Sequence, residues 1–270
     1  MESTDVRRIN STRFFVNLLG MIVWISTLLF GLYILAFYAT SLVNGNPEQW
    51  NEMLPELYSA NESVATTGIG FHFAAGGIIL ILGCIQLIEK FRKRFPRLHK
   101  AIGLLYIFSS IVAGVGGLIF IVTKGTIGGT VMNIGFALYG ILMIIAAFMT
   151  AKHAFTHNIV QHRNWALRLF ALAVGSWLYR MDYGFWFILA DGAGHTRQFS
   201  GPFDQVMAFF FYIPNLLIVE FIIRSKKIQY SGILKFSYST LLVLATIFIS
   251  IGTYFFTVRF WGPAILSWFD

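Results

Sequence analysis

The sequence predicts an all-α integral membrane protein, a single transmembrane domain of seven helices over residues 1–270. Three observations lead there. Seven apolar runs are each long enough for the roughly 20 helical residues that cross a hydrocarbon core of about 30 Å. The loops between them alternate in positive charge from side to side. Glycines recur inside the runs (Gly76, Gly77, Gly83, Gly114, Gly116, Gly117, Gly140 and Gly175), where small residues let helices approach closely in lipid.

The first span covers about residues 14–39. It has no small-residue cleavage site and is too long for a signal-peptide core, so it stays as a helix. The second covers about 67–88 and carries His72. The third, about 101–122, follows Pro96, a residue suited to a helix start. The fourth covers about 130–149, and the fifth, about 166–189, is headed by His162. The sixth, about 206–223, contains Pro214-Asn215. There the proline removes a backbone donor and kinks the helix, and the asparagine can recapture a freed carbonyl. The seventh covers about 238–258. These runs are far longer than the roughly 10-residue alternating strands of an outer-membrane barrel.

Orientation follows from sixteen of the twenty basic residues. Arg7, Arg8 and Arg13 precede span one. Lys90, Arg92, Lys93, Arg94, Arg97 and Lys100 join spans two and three. Lys152, Arg163 and Arg168 lie between or just beyond the facing ends of spans four and five. Arg224, Lys226, Lys227 and Lys235 join spans six and seven. The positive-inside rule makes that side cytoplasmic, with the N-terminus in and the C-terminus out. Glu48, Glu52, Glu56 and Glu62 fall in an outer loop, and Trp50, Trp186, Trp261 and Trp268 near outer boundaries, as interfacial aromatics. The net charge of +8 is thus a topology signal that places the chain in a lipid bilayer, most simply the bacterial cytoplasmic membrane. No soluble basic face exists for nucleic acid. The single Cys84 lies mid-span, so no intramolecular disulfide forms.

Spans two–three and four–five read as parallel copies of one unit. Phe73-Ala74-Ala75-Gly76-Gly77-Ile78 aligns with Phe136-Ala137-Leu138-Tyr139-Gly140-Ile141, and His99-Lys100 then falls on His162-Arg163 without a gap. Such a repeat makes spans two to five a four-helix core with His99 and His162 at equal depth. Histidines on facing helices at one depth suit bis-histidine ligation of haem iron. A single interfacial histidine, by contrast, more often caps a helix or meets headgroups. His153 and His157 lie nearby.

Further intramembrane polar groups need partners. Arg168 and Glu220 stand at similar depth on spans five and six and are expected to pair, with Arg224 competing through its i,i+4 spacing. At the outer end stand His72, Arg180 and Asp182, with Tyr179 and Tyr183. Arg180 and Asp182, two residues apart, point to different faces, which leaves His72 as a partner for Asp182. The repeat counterpart of His72 is Gly135, which either leaves room for a ligand or packs helices. No phosphate loop, nucleophile elbow or zinc-protease helix occurs.

Together, His72 with Gly76-Gly77, His99-Lys100-Ala101-Ile102-Gly103-Leu104-Leu105-Tyr106, His162-Arg163-Asn164-Trp165 with Arg168, and Pro214-Asn215-Leu216-Leu217 with Glu220 resemble a family of predicted bacterial membrane proteins. That family is known mainly as a domain of unknown function. The resemblance covers roughly residues 67–225 and implies no activity. Where the family tends to carry Arg after the third-span His, this chain has Lys100, a poorer bidentate donor. A looser likeness is to the cytochrome b561 architecture, which implies haem b and transmembrane electron transfer. A second, outer haem would need two ligands, and His72 has only His195, in a loop, for company.

Three functional readings fit these residues. The first is a b-type haem protein, with iron held by His99 and His162, that exchanges electrons with a quinone or redox partner. The second is a small-solute or proton-coupled permease whose polar path uses His72, Arg180, Asp182 and Glu220. The third is a non-catalytic accessory subunit in which the charges only lock helices. The first alone accounts for the repeat-matched histidines.

Overall fold

The computed structural model describes residues 2–224 and 232–269, with side chains from residue 14 onward except 225–236 and 238. Lys226 and Lys227 therefore lie outside the described residues, as do the side chains of Arg7, Arg8, Arg13 and Lys235. Among the described residues every regular element is helical. The helices are α1 (Glu2–Val43), α2 (Trp50–Met53), α3 (Ser63–Leu87), α4 (Glu89–Arg94), α5 (Pro96–Thr123), α6 (Gly129–Phe155), α7 (Ile159–Ala173), α8 (Gly175–Ala190), α9 (Pro202–Phe210), α10 (Ile213–Arg224), α11 (Gly232–Phe256) and α12 (Gly262–Leu266).

Among the described residues, six stretches are long and apolar enough to cross a membrane: Phe14–Val43, Ser63–Leu87, Pro96–Thr123, Gly129–Phe155, Pro202–Arg224 and Ser239–Leu266. The predicted fifth span is not one helix. It breaks between Ala173 and Gly175 into α7 and α8, at a Gly-Ser pair of the kind that kinks helices. The Leu172 carbonyl beside the break accepts the Tyr139 hydroxyl at 2.9 Å. The sixth span breaks where Pro214 requires it, between α9 and α10, and Asn215 Nδ2 donates to the Phe211 carbonyl at 2.8 Å.

Half of the apolar window of α3 is buried, against 22% in the last two spans, so α3 is the central helix. It packs against α5 through glycine: a Cβ on Gly116 would collide with the Gly68 carbonyl oxygen. Large apolar side chains such as Phe108, Phe148, Leu217 and Leu244 point outward, a surface that only lipid can cover without penalty.

The interior forms two apolar cores. One gathers Phe30, Tyr33, Tyr38, Phe73, Trp177 and Trp261 around α1, α3, α8 and the C-terminal end. The other gathers Ile79, Tyr106, Tyr139, Met143, Leu169 and Tyr212 around α3, α5, α6, α7 and α9. Trp50 and Trp261, expected at the lipid interface, are 2% and 1% exposed. Trp50 is drawn inward because its Nε1 donates to Ser41 Oγ at 2.8 Å. Trp261 is turned inward by a π-helical turn, Thr257–Trp261, and stacks on Phe256. Buried Ser26 on α1 ties three helices together, accepting from Trp177 Nε1 on α8 at 2.9 Å and from Thr253 Oγ1 on α11 at 2.7 Å.

Candidate functional site

The expected polar groups fall into an arginine–glutamate cluster, a histidine pair at the basic end, and a cavity at the opposite end. Arg168 on α7 donates to Glu220 on α10 from Nη2 at 2.7 Å and from Nε at 3.1 Å. Arg224 Nε takes the other carboxylate oxygen at 2.8 Å. The two candidate partners therefore share the glutamate rather than compete. Arg168 also lies 4.7 Å over the Trp165 ring, so all its visible contacts are structural.

His99 lies in the first turn of α5 and His162 in the first turn of α7, near enough for His99 to feel the charge of His162. His162 Nδ1 lies 3.0 Å from the Thr150 carbonyl oxygen, to which only an Nδ1–H can donate. His99 Nδ1 is buried with no partner, and neither ring lines the large cavity described below. One imidazole is held by a backbone carbonyl, and the other has no hydrogen bond at Nδ1 among the described residues. His153 is half-buried and His157 exposed at the same end. Exposed Glu89 in the adjoining loop meets Lys93 at 2.7 Å, and that ammonium holds its carboxyl below the usual range.

At the other end a cavity of about 570 Å³ opens between the two cores, within the 300–1,000 Å³ typical of small-molecule sites. Its walls take Tyr33 and Tyr38 from α1, His72 and Phe73 from α3, and Gly117 and Phe120 from α5. Tyr139 and Met143 come from α6, Tyr179, Arg180 and Tyr183 from α8, and Phe256 and Trp261 from the C-terminal end. Residues 53–57 and 125–127 contribute from the loops. Met143 lies near the middle of α6, so the cavity reaches to about mid-helix.

Its polar groups are few and oriented. His72 Nδ1 is 2.8 Å from the Ala113 carbonyl oxygen, which again fixes the Nδ1–H tautomer. His72 is thus committed to α5 and does not partner Asp182, contrary to expectation; a backbone carbonyl on the closely packed neighbouring helix satisfies it first. Asp182 is half-buried and makes no ion pair among the described residues. Gly135 leaves no gap for a ligand: a Cβ there would collide with the Ala208 carbonyl oxygen, so it seats α6 against α9. Arg180 donates from Nη1 to the Ser176 carbonyl at 3.2 Å and lies 5.2 Å over the Phe30 ring. Among the described residues no carboxylate comes within 4.0 Å of it. An arginine at membrane depth costs about 3 kcal/mol unless something compensates it.

Beside the cavity stands a network that the sequence reading did not find. Asp204 is fully buried and accepts four hydrogen bonds. They come from His195 Nδ1 at 2.7 Å, the Tyr183 hydroxyl at 2.7 Å, Thr196 N–H at 3.0 Å and Gly201 N–H at 2.9 Å. The loop histidine is thereby fixed to the start of α9. A signal was present: Asp204 is the third residue of a helix that starts with Pro202 after Gly201, where a carboxylate caps backbone N–H groups.

A family model described as "Predicted membrane protein (DUF2306)" matches residues 69–223. The chain belongs to this family. The chain matches no curated protein and no solved structure. The DUF2306 segment runs from α3 to the end of α10 and holds His72, His99, His162, Arg168, Arg180 and Glu220. It supplies most of the cavity. The rest of the wall comes from outside it, from residues 53–57 and from residues such as Tyr33, Tyr38, Phe256 and Trp261. The family description establishes a membrane protein and no activity.

Proposed function

We propose that this DUF2306 protein binds a lipophilic small molecule inside the outer half of a seven-crossing bundle in the bacterial cytoplasmic membrane. The observation that carries this reading is the cavity of about 570 Å³ between the two cores, aromatic-walled and sparingly polar. A permease or carrier for a membrane-soluble compound belongs to this reading. Haem-mediated electron transfer does not, because the histidine pair stands at the opposite end and lines no part of that cavity.

The seventh crossing is α7 and α8 together, one span broken at Gly175. The N-terminus is cytoplasmic and the C-terminus outside. The basic loop of α4, the α6–α7 turn and the end of α10 share one end of the bundle, in support of this orientation. The parallel repeat has support in packing. The matched glycines Gly77 and Gly140 each face a glycine carbonyl of the preceding crossing, Gly31 of α1 and Gly114 of α5. The repeat pairs α3 and α5 with α6 and the broken span of α7 and α8.

The test uses protein in neutral-lipid nanodiscs and a brominated fatty-acid methyl ester, a neutral lipophile that quenches tryptophan on contact. Saturable quenching is expected, with the saturable part reduced in Trp261→Phe, since Trp261 lines the cavity. Linear, non-saturating quenching that is indifferent to Trp261→Phe would refute the reading.

A further inference from the structure

We infer that the cavity selects an amphiphile with an anionic oxygen head group on an apolar chain, and that Arg180 receives the head group. The inference rests on the cavity reading above and adds the ligand's charge. Among the described lining residues the cavity has one permanent cation, Arg180, and one carboxylate, Glu56, which makes no ion pair with it. Arg180 is half-buried on the wall. Its intramolecular contacts are a neutral carbonyl of its own helix, Ser176, and the face of Phe30. Neither neutralises a guanidinium, and the carbonyl satisfies one of its five N–H donors.

The neighbouring acids are accounted for. Asp204 is saturated by His195, Tyr183 and two backbone N–H groups. Asp182 is two residues along the helix and projects to another face. Glu56 stands at the mouth, solvent-exposed, with no ion pair to Arg180. Hydroxyls of Tyr38 and Tyr179 lie within reach of the Arg180 charge. They can add hydrogen bonds to an anionic oxygen. An uncompensated arginine in an apolar chamber favours an anion strongly, because the low dielectric amplifies the attraction. The remaining wall, Phe73, Phe120, Met143 and Phe256 among it, accepts only hydrocarbon. Head and chain are therefore both specified.

The test compares a brominated long-chain fatty acid with its methyl ester in neutral-lipid nanodiscs, at about pH 9, where the carboxyl is ionised. Both are read by saturable tryptophan quenching. The acid is expected to bind at least about tenfold more tightly than the ester in the native protein. Arg180→Gln is expected to reduce that ratio to below about threefold, with ester binding retained as evidence of folding, and Arg180→Lys to keep a ratio above it. Acetate in excess is expected not to displace the acid. Equal binding of acid and ester by the native protein overturns the inference, and this comparison depends on no variant. An undiminished ratio in Arg180→Gln, or displacement by acetate alone, overturns it equally, the latter by showing a small-anion site. Failure of both acid and ester to saturate would instead overturn the cavity reading itself.

Discussion

Glu220 accepts from two arginines of unequal burial, and the difference predicts unequal losses. The Arg168 side chain is 21% exposed and the Arg224 side chain 78%. Glu220→Ala leaves Arg168 without its carboxylate and is expected to lower unfolding free energy by about 1–3 kcal/mol. Arg224→Ala should lower it by less than about 0.5 kcal/mol. Thermal unfolding in mild detergent measures both, and equal losses would contradict the assignment. Asp204→Asn presents an amide to donors that need an acceptor. It is expected to cost about 2–4 kcal/mol, more than Glu220→Ala or Arg224→Ala, in the same measurement. Residues of this kind differ in legibility. Arg168 and Glu220 could be paired from sequence because helical depth can be counted between spans. Asp204 and His195 could not be paired, because the loop between them has no period to count.

At the scale of the element, the α3–α5 contact depends on backbone approach. A Cβ on Gly116 meets the Gly68 carbonyl, whereas a Cβ on Gly76 meets nothing within 4 Å. Gly116→Ala is therefore expected to destabilise by about 1–3 kcal/mol through overpacking, and Gly76→Ala to be neutral or slightly stabilising. Loss on both, or on neither, in the unfolding assay would count against the packing described. Tyr106 on the same interface buries a hydroxyl with no partner, so Tyr106→Phe should leave stability unchanged or raise it. The sequence announces the α9–α10 break, because proline cannot continue the hydrogen-bond ladder. The α7–α8 break carries no comparable mark. Gly175-Ser176 is a weak mark, since Gly175 is one of 25 glycines in the chain, and Tyr139 and Phe211 pack beside it.

The length of the apolar runs gave the molecule's class and the rough course of its long helices, since it depends on local composition, but not the breaks within them. The cavity was illegible because it lies between two cores that form only when non-adjacent helices meet. Trp50 and Trp261 show the same limit: an aromatic near a span end looks interfacial until its tertiary partner is known. Orientation is open to a direct check in a Cys84→Ser background. Glu56→Cys should react with a membrane-impermeant maleimide added to intact cells, and Lys93→Cys only after permeabilisation; the reverse pattern would invert the topology. The central claim, that the cavity between the cores holds a lipophile, is tested most directly by photolabelling in membranes. A long-chain diazirine probe is crosslinked to the protein and the labelled residues are mapped by mass spectrometry. Labelling concentrated on cavity residues such as Met143, Tyr179 and Phe256, and competed away by unlabelled probe, is the predicted result. Label confined to outward-facing residues such as Phe108 and Phe148, without competition, would contradict it.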